Sequence, residues 1–347
     1  MKSSTKIFMP ANNDSQFDKN QIKVSVSLVT FNHEKFIAQA IESILLQEVD
    51  FYYEIIIGED FSSDKTREIV VDYQKQYPDK IRLILPEENL GCYGQKIFVQ
   101  TLQASRGEYI AILDGDDYWN SPYKLQQQVD FLDNHPECAI CFHDVTTIFE
   151  DKAGLSQRYN NFEPQRFSDV ENILKSNFIP TCSTLYRRGL FAEFPEWYCD
   201  TVCGDWVLHV LNARHGKIGY INKSLGVYRV HSNGLFSSMR KIQQLKEAIK
   251  CYKLLNEYLN FEYNYIIQSE IIYRYLTCFA IYQQERNLAK QKQYANKLIR
   301  TLVSYPLISF TAIFKFIKRS MINKLSLHKW RIKKQKLKLL THEYSSN

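Results

Sequence analysis

Several features that would identify a function at once are scarce or missing in this sequence. Cysteine is sparse, with eight in 347 residues. Residues 1–21 hold no apolar run of the kind a secretory signal needs, so the expectation is a reducing, cytoplasmic setting rather than a disulfide scaffold. No GxGxxG and no GxxxxGK[ST] occurs, which removes the phosphate cradles of dinucleotide oxidoreductases and P-loop nucleotidases. The GxSxG elbow of many hydrolases is missing too. What is present is ordinary for a globular protein. Hydrophobic residues make up 45% and charged residues 24%, which excludes a disordered chain, a collagen-like fibre and a bundle of membrane-spanning helices.

Charge is unevenly placed. The net charge is +6, yet residues 315–338 alone hold ten Lys or Arg and no Asp or Glu, so the rest carries −4. A nucleic-acid binder spreads basic residues over its fold. Here the asymmetry points to an anionic surface met by the tail alone, and no nucleic-acid partner is expected.

From Lys23 the chain alternates short apolar runs with helical spacings. Residues 24–30, 54–58, 81–85 and 109–113 read as strands, and 32–47, 65–76 and 95–104 as the helices between them. That alternation predicts a mostly parallel sheet with helices on both faces, and ligands in such sheets bind beyond the carboxyl ends of the strands. Beyond Pro122 the spacing predicts a helix at 123–134, short strands at 139–142, 184–186 and 226–230, and a helix at 206–214. Residues 150–168 read as a polar loop able to close over a substrate. Long aromatic-rich helices without strand signals follow from about 239.

The sharpest feature is Asp114-Gly115-Asp116-Asp117-Tyr118-Trp119, three carboxylates in four residues after a buried strand. Like charges this close raise one another's pKa unless a cation sits among them, and hard oxygens suit Mg²⁺ or Mn²⁺ shared with substrate phosphates. An EF-hand loop is excluded, because Trp119 and Leu125 stand where Gly and Glu belong. A second acidic pair, Glu59-Asp60, ends the second strand on the same predicted rim. Chemistry alone does not separate the two, and Ser62, Ser63 and Asp64 behind them read as helix caps. Asp205 opens a helix after Gly204, in the position of a cap, and His231 follows the last strand. Cys138 and Cys141 form one CxxC on an apolar strand with no second pair at zinc spacing, so they read as buried thiols.

Taken in order, the segments VSLVTFNHEKFIAQAIESILLQ, EIIIGEDFSSDKT, NLGCYGQKIFVQTLQASRGEYIAILDGDDYWNSPYKLQQQV and GDWVLHVLNARHGKIGYINKSLGVYRVHSNG resemble the family 2 glycosyltransferases. The resemblance runs from about Val24 to Ser238. It implies a GT-A fold, an α/β sheet with helices on both faces, and a nucleotide-sugar donor. It implies that Asp60 contacts the base, that Thr30, Phe31 and Asn32 wall the nucleotide pocket, and that Asp114 and Asp116 form an Asp-x-Asp pair with Asp117 beside them. Asp116 and His231 are then metal or diphosphate contacts, with Mn²⁺ or Mg²⁺ as cofactor, and Asp205 is the general base. Two departures stand out. The usual Asp-Asp-Gly-Ser reads Glu59-Asp60-Phe61-Ser62, and Gly204 replaces the Glu of the usual Glu-Asp pair.

The expected organisation is a leader over 1–21, a catalytic domain over 22–238, a helical region over 239–300 and a basic tail over 301–347. Within the tail, Phe310, Ile313, Ile317, Met321 and Leu325 recur at helical spacing among lysines, with Trp330 beyond. The segment 310–338 therefore reads as an amphipathic anchor on an anionic membrane surface. The expectation is a metal-dependent, inverting transferase at the inner face of the cell membrane. Its donor would be a nucleoside-diphosphate sugar, UDP-linked by the family's habit, and its acceptor a saccharide or lipid-linked saccharide of lipopolysaccharide, O-antigen or capsule. The alternatives are an Asp-x-Asp phosphoryl-transfer enzyme and a catalytically idle GT-A domain serving as a membrane-attached binding module.

Overall fold

A computed structural model describes residues 22–151, 154–308 and positions 313, 314, 316 and 317. The anchor expected at 310–338 lies almost wholly outside them. The chain divides into two compact units, Met1–Arg240 and Lys241–Asn347.

The first unit alternates strand and helix as the apolar spacing predicts: β1 (Ile22–Thr30), α1 (Ile37–Leu45), β2 (Tyr52–Glu59), α2 (Thr66–Gln76), β3 (Ile81–Ile84), α3 (Gln95–Ala104) and β4 (Tyr109–Asp114). There follow β5 (Tyr118–Trp119), α4 (Lys124–Asn134), β6 (Cys138–Phe149), β7 (Ser156–Arg158), β8 (Phe167–Ser168), α5 (Val170–Lys175), β9 (Leu185–Arg187), α6 (Gly204–Ala213) and β10 (Lys217–Val230). One sheet runs β3-β2-β1-β4-β9-β6-β10-β5, with β7 on β6 and β8 on β10. Its long ladders, β3-β2-β1-β4 and β6-β10, are parallel. The short strand β9 joins these two blocks by pairing antiparallel with both β4 and β6. This is the mixed, mostly parallel α/β sheet of the GT-A fold.

Parallel strands covered on both faces need apolar residues throughout, and β1 and β4 supply them: Val24, Val26 and Leu28 face Ala111 and Leu113 in one buried core with Ile41 and Ile44 of α1. The polar exceptions are paired. Ser25 donates to Glu54 at 2.7 Å, and Arg106 and Arg82 close on the same buried carboxylate. The Lys-Leu pair after Pro122 is also internal. Lys124 is fully buried, with Nζ 3.8 Å from the Trp119 ring centroid, and burial lowers its pKa to about 7.

Three sequence expectations change. Residues 139–142 and 226–230 are parts of strands of 12 and 14 residues, because each is a buried central strand that continues past its apolar run into paired polar residues. The expected loop at 150–168 carries β7 and β8, which pair to β6 and β10. Helix α1 begins at Ile37 rather than near 32, since Asn32 sits at φ 55°, a left-handed conformation that a helix cannot contain.

The second unit holds α7 (Lys241–Tyr258), α8 (Asn264–Gln284) and α9 (Leu288–Ser304). Its aromatics are mainly packing groups: Tyr252 and Tyr275 are buried, and the Tyr294 ring packs against Tyr275 and Tyr282 at 6.0 and 5.5 Å. Among the described residues no helix is long and apolar enough to cross a membrane.

Candidate active site

The ends of β1, β2 and β4 are laced together. Asp60 N–H donates to Thr30 O at 3.1 Å, and Gly115 N–H donates to Val29 O at 2.8 Å. This brings the Asp60 segment and the Asp114–Asp117 turn to one rim, beside the point where strand order reverses. The turn lies so close to β1 that a Cβ on Gly115 would stand 2.5 Å from Thr30 Oγ1 and 2.9 Å from His33 Nδ1. Glycine is therefore required between the two aspartates on steric grounds. The loop after β1 is tied to the loop after β2. Asn32 accepts from Ser63 N–H at 2.8 Å and donates its own N–H to Ser62 Oγ at 2.9 Å. Asp64 accepts from Thr66 N–H at 2.9 Å and from Glu34 N–H at 3.1 Å. Ser62 and Ser63 thus link loops, and only Asp64 holds the entry to α2.

The neighbouring carboxylates Glu59 and Asp60 separate cleanly. Glu59 is fully buried, ion-paired to Arg67, and accepts from Ser62 N–H at 2.6 Å. Asp60 receives Leu90 N–H at 2.8 Å and Asn89 Nδ2 at 3.1 Å and has no ion pair among the described residues. Burial raises its pKa, and the Glu59 charge adds to that against the Leu90 N–H. Glu59 is a strut and Asp60 is the group at the rim. Replacing Arg67 with Met is expected to lower stability by about 3 kcal/mol, because Glu59 then stays buried without its cation. A urea midpoint unchanged from wild type would sink that assignment.

The three aspartates of the turn occupy different environments. Asp116 Oδ2 accepts from His231 Nε2 at 3.0 Å, and His33 Nε2 lies 3.8 Å away. Burial acts to raise the Asp116 pKa, but the His231 hydrogen bond and the two imidazoles outweigh it and hold the carboxyl below its usual range. Asp114 is pushed up to about 8 by burial and by the charges of Asp116 and Asp205. Asp117 is also raised well above its usual range, by burial and then by its two neighbours. It is closed off from solvent, with Oδ1 accepting Arg229 N–H at 2.8 Å. Asp114 and Asp116 thus stand together at the rim, while Asp117 braces the turn from beneath. Thr30 is likewise buried under the turn, whereas Phe31 is 43% exposed beside Asn32.

Asp205 lies in the first turn of α6 but is not its cap. The N-cap is Cys203, without a side-chain cap bond, and the Asp205 carboxylate instead accepts from Asn177 Nδ2 at 3.1 Å. Gly204 has no room for a side chain, since a Cβ would meet Gln95 Nε2 at 2.8 Å and Tyr198 OH at 3.0 Å. That packing accounts for glycine where a Glu-Asp pair is usual.

Three contributors were not apparent from the residues alone. His33 stands one residue past the expected pocket wall of Thr30–Asn32 and is signalled only by a polar HE pair after a strand. Burial lowers its pKa, against the Asp116 charge. Arg229, two residues before His231, donates Nη1 to Asp116 O at 2.8 Å and Nε to Glu150 at 2.9 Å, and also reaches Gln39. Its guanidinium is sandwiched between Phe36 and Tyr118 at 4.8 and 4.7 Å. Asn177 had no signal at all.

Among the described residues no three or more His, Cys, Asp or Glu side chains are grouped so as to hold a metal ion. The donors that do meet, Asp116 with His231, and Asp114 alongside, fit a divalent ion that takes one or two protein ligands and completes its shell with phosphate oxygens and water.

Residues 25–194 match the family model described as Glycosyl transferase family 2. An uncharacterized protein of Mycobacterium tuberculosis is 38% identical over 218 residues, which is 62% of this chain and 61% of that one. The chain thus spans about three-fifths of the length of such relatives. A Bacillus subtilis chain provisionally named the teichuronic acid biosynthesis glycosyltransferase TuaG is 27% identical over 63% of this chain and 83% of its own. Among solved structures, S. aureus TarS 1–349 in complex with UDP-GlcNAc superposes with a TM-score of 0.57 at 20% identity, covering 81% of each chain. That likeness concerns the fold. From β1 onward, residues 25–194 are thus similar to glycosyl transferase family 2.

Proposed function

We propose that the domain moves a sugar from a nucleoside-diphosphate donor, UDP-linked in the first instance, to a hydroxyl of a growing cell-surface polysaccharide, with inversion at the anomeric carbon. The observation that carries this reading is the convergence at one rim of Asp60, the Asp114–Asp116 pair and Asp205, whose charge bears directly on Asp114. The UDP-GlcNAc bound by TarS supports the donor class, and the name of TuaG supports a polysaccharide acceptor.

In this reading Asp60 accepts a hydrogen bond from the nucleobase, with Phe31 and Asn32 beside it. Asp114 and Asp116 face the ribose and diphosphate, and Asp116 with His231 holds Mn²⁺ or Mg²⁺. A divalent ion there supplies Lewis-acid stabilisation of the departing diphosphate. Asp205, oriented by Asn177, takes the proton of the acceptor hydroxyl as attack makes it acidic. One base suffices for a single displacement, whereas a hydrolytic glycosidase needs an acid and a base flanking the bond. The place of action in this proposal is the inner face of the cell membrane, with segment 310–338 as the attachment.

Calorimetric titration with UDP tests the donor site. Binding is expected with Mn²⁺ present and is expected to release protons at pH 7, seen as a dependence of the apparent enthalpy on buffer, since a metal displaces protons held by buried carboxyls. Asp116→Ala is expected to lose the metal-dependent part. If UDP, dTDP and GDP all fail to bind with either metal, the transferase reading is wrong.

A further inference from the structure

The helical unit contains a cavity of about 340 Å³ whose walls come from α7, α8 and α9. Five of its lining residues are lysines: Lys246, Lys250 and Lys253 from α7, and Lys290 and Lys297 from α9. No Asp or Glu lines it. The spacing explains how this arises. Positions 246, 250 and 253 fall on one face of α7, and 290 and 297 on one face of α9, following the three-and-four rule of helix neighbours. The two basic faces meet across Tyr275 of α8 and Tyr294 of α9. Lys297 lies against both rings, its Nζ 5.8 Å from the Tyr275 centroid and 4.8 Å from that of Tyr294.

Like charges at i,i+4 destabilise a helix, and converging two such faces on one concave space adds to the cost. At Lys297 burial lowers the pKa, and the Lys253, Lys246 and Lys290 charges push the same way. Among the described residues none of Lys246, Lys253, Lys290 and Lys297 is ion-paired to a carboxylate. Lys250, Lys253 and Lys290 are exposed at the hollow and Lys246 and Lys297 are half-buried, so an anion entering it would meet five lysine side chains. The size is that of a compact ligand rather than a length of peptide. Ammonium groups are point charges that suit phosphate oxygens approached from several directions.

We propose that this cavity is a binding site for a compact, multiply charged phosphate anion, either a soluble diphosphate or the phosphate headgroup of a lipid. It lies within the helical unit and calls for no metal.

The test is acetylation footprinting of the full chain in EDTA, read lysine by lysine by mass spectrometry. The probes are inorganic pyrophosphate and vesicles of phosphatidylglycerol in phosphatidylcholine. Pyrophosphate is expected to slow acetylation of Lys253 and Lys297 several-fold, and K253Q/K297Q is expected to weaken its binding about tenfold. The variant should melt no lower than wild type, since it removes repulsion. Protection by pyrophosphate points to a soluble phosphate. Protection by vesicles alone, together with lower vesicle recovery of K253Q/K297Q, points to a lipid headgroup. The proposal is overturned if neither probe protects these lysines, or if the variant binds both probes as wild type does.

Discussion

Asp205→Asn is expected to cut sugar transfer by about 10³-fold while metal-dependent UDP binding persists. The carboxylate takes no part in the donor contacts assigned to Asp60, Asp114 and Asp116. Its proposed role arises only as the acceptor oxygen loses its proton, so the loss should fall on kcat and on kcat/KM alike. Asparagine keeps the size and a hydrogen-bond acceptor for Asn177 Nδ2, so the helix and its neighbours should be undisturbed. Asn177→Ala is expected to give a smaller loss of the same kind, because it leaves the base present but poorly aimed. A variant that binds UDP normally and still turns over at the wild-type rate would remove Asp205 as the base. The surviving reading would be a transferase with another base.

Arg229→Met carries the second large expectation. The arginine is 6% exposed and makes side-chain bonds to Asp116 O, Glu150 and Gln39, while its backbone N–H holds Asp117. Methionine fills the space between Phe36 and Tyr118 and keeps the backbone N–H, but satisfies none of the side-chain partners. Leaving the Asp116 carbonyl and Gln39 without their donor and Glu150 without its cation is expected to lower stability by about 3 kcal/mol, or roughly 6–12 °C in melting temperature for a unit of this size. The Asp114–Asp117 turn would lose its fixed backbone, so UDP binding should weaken more than the global loss explains at temperatures where the variant is folded. Arg229→Lys keeps the charge without the planar fork, and should recover stability better than nucleotide affinity. If Arg229→Met matches wild type in both melting and UDP titration, the arginine is not the brace described here.

The sequence by itself determined the alternation of strands and helices from β1 to β4 and the placing of acids at strand ends. Both rest on local rules: apolar spacing selects strand or helix within a few residues, and a parallel ladder then delivers the carboxyl end of each strand to the same edge. Asp60, Asp114, Asp116, Asp205 and His231 were therefore legible as candidates. Local rules do not reach contacts between distant segments. Arg229 meets Asp116 across 113 residues, Asn177 meets Asp205 from a different element, and Gly204 is dictated by Gln95 and Tyr198. The distinction between Glu59 and Asp60 came only with Arg67 folded back onto one of them. The lysine-lined cavity follows the same logic: each basic face is written in helical spacing, but the hollow exists only because α7 and α9 present those faces to a shared space. Like charges brought together that way are a product of packing, and packing is where tertiary structure decided what the residue pattern left open.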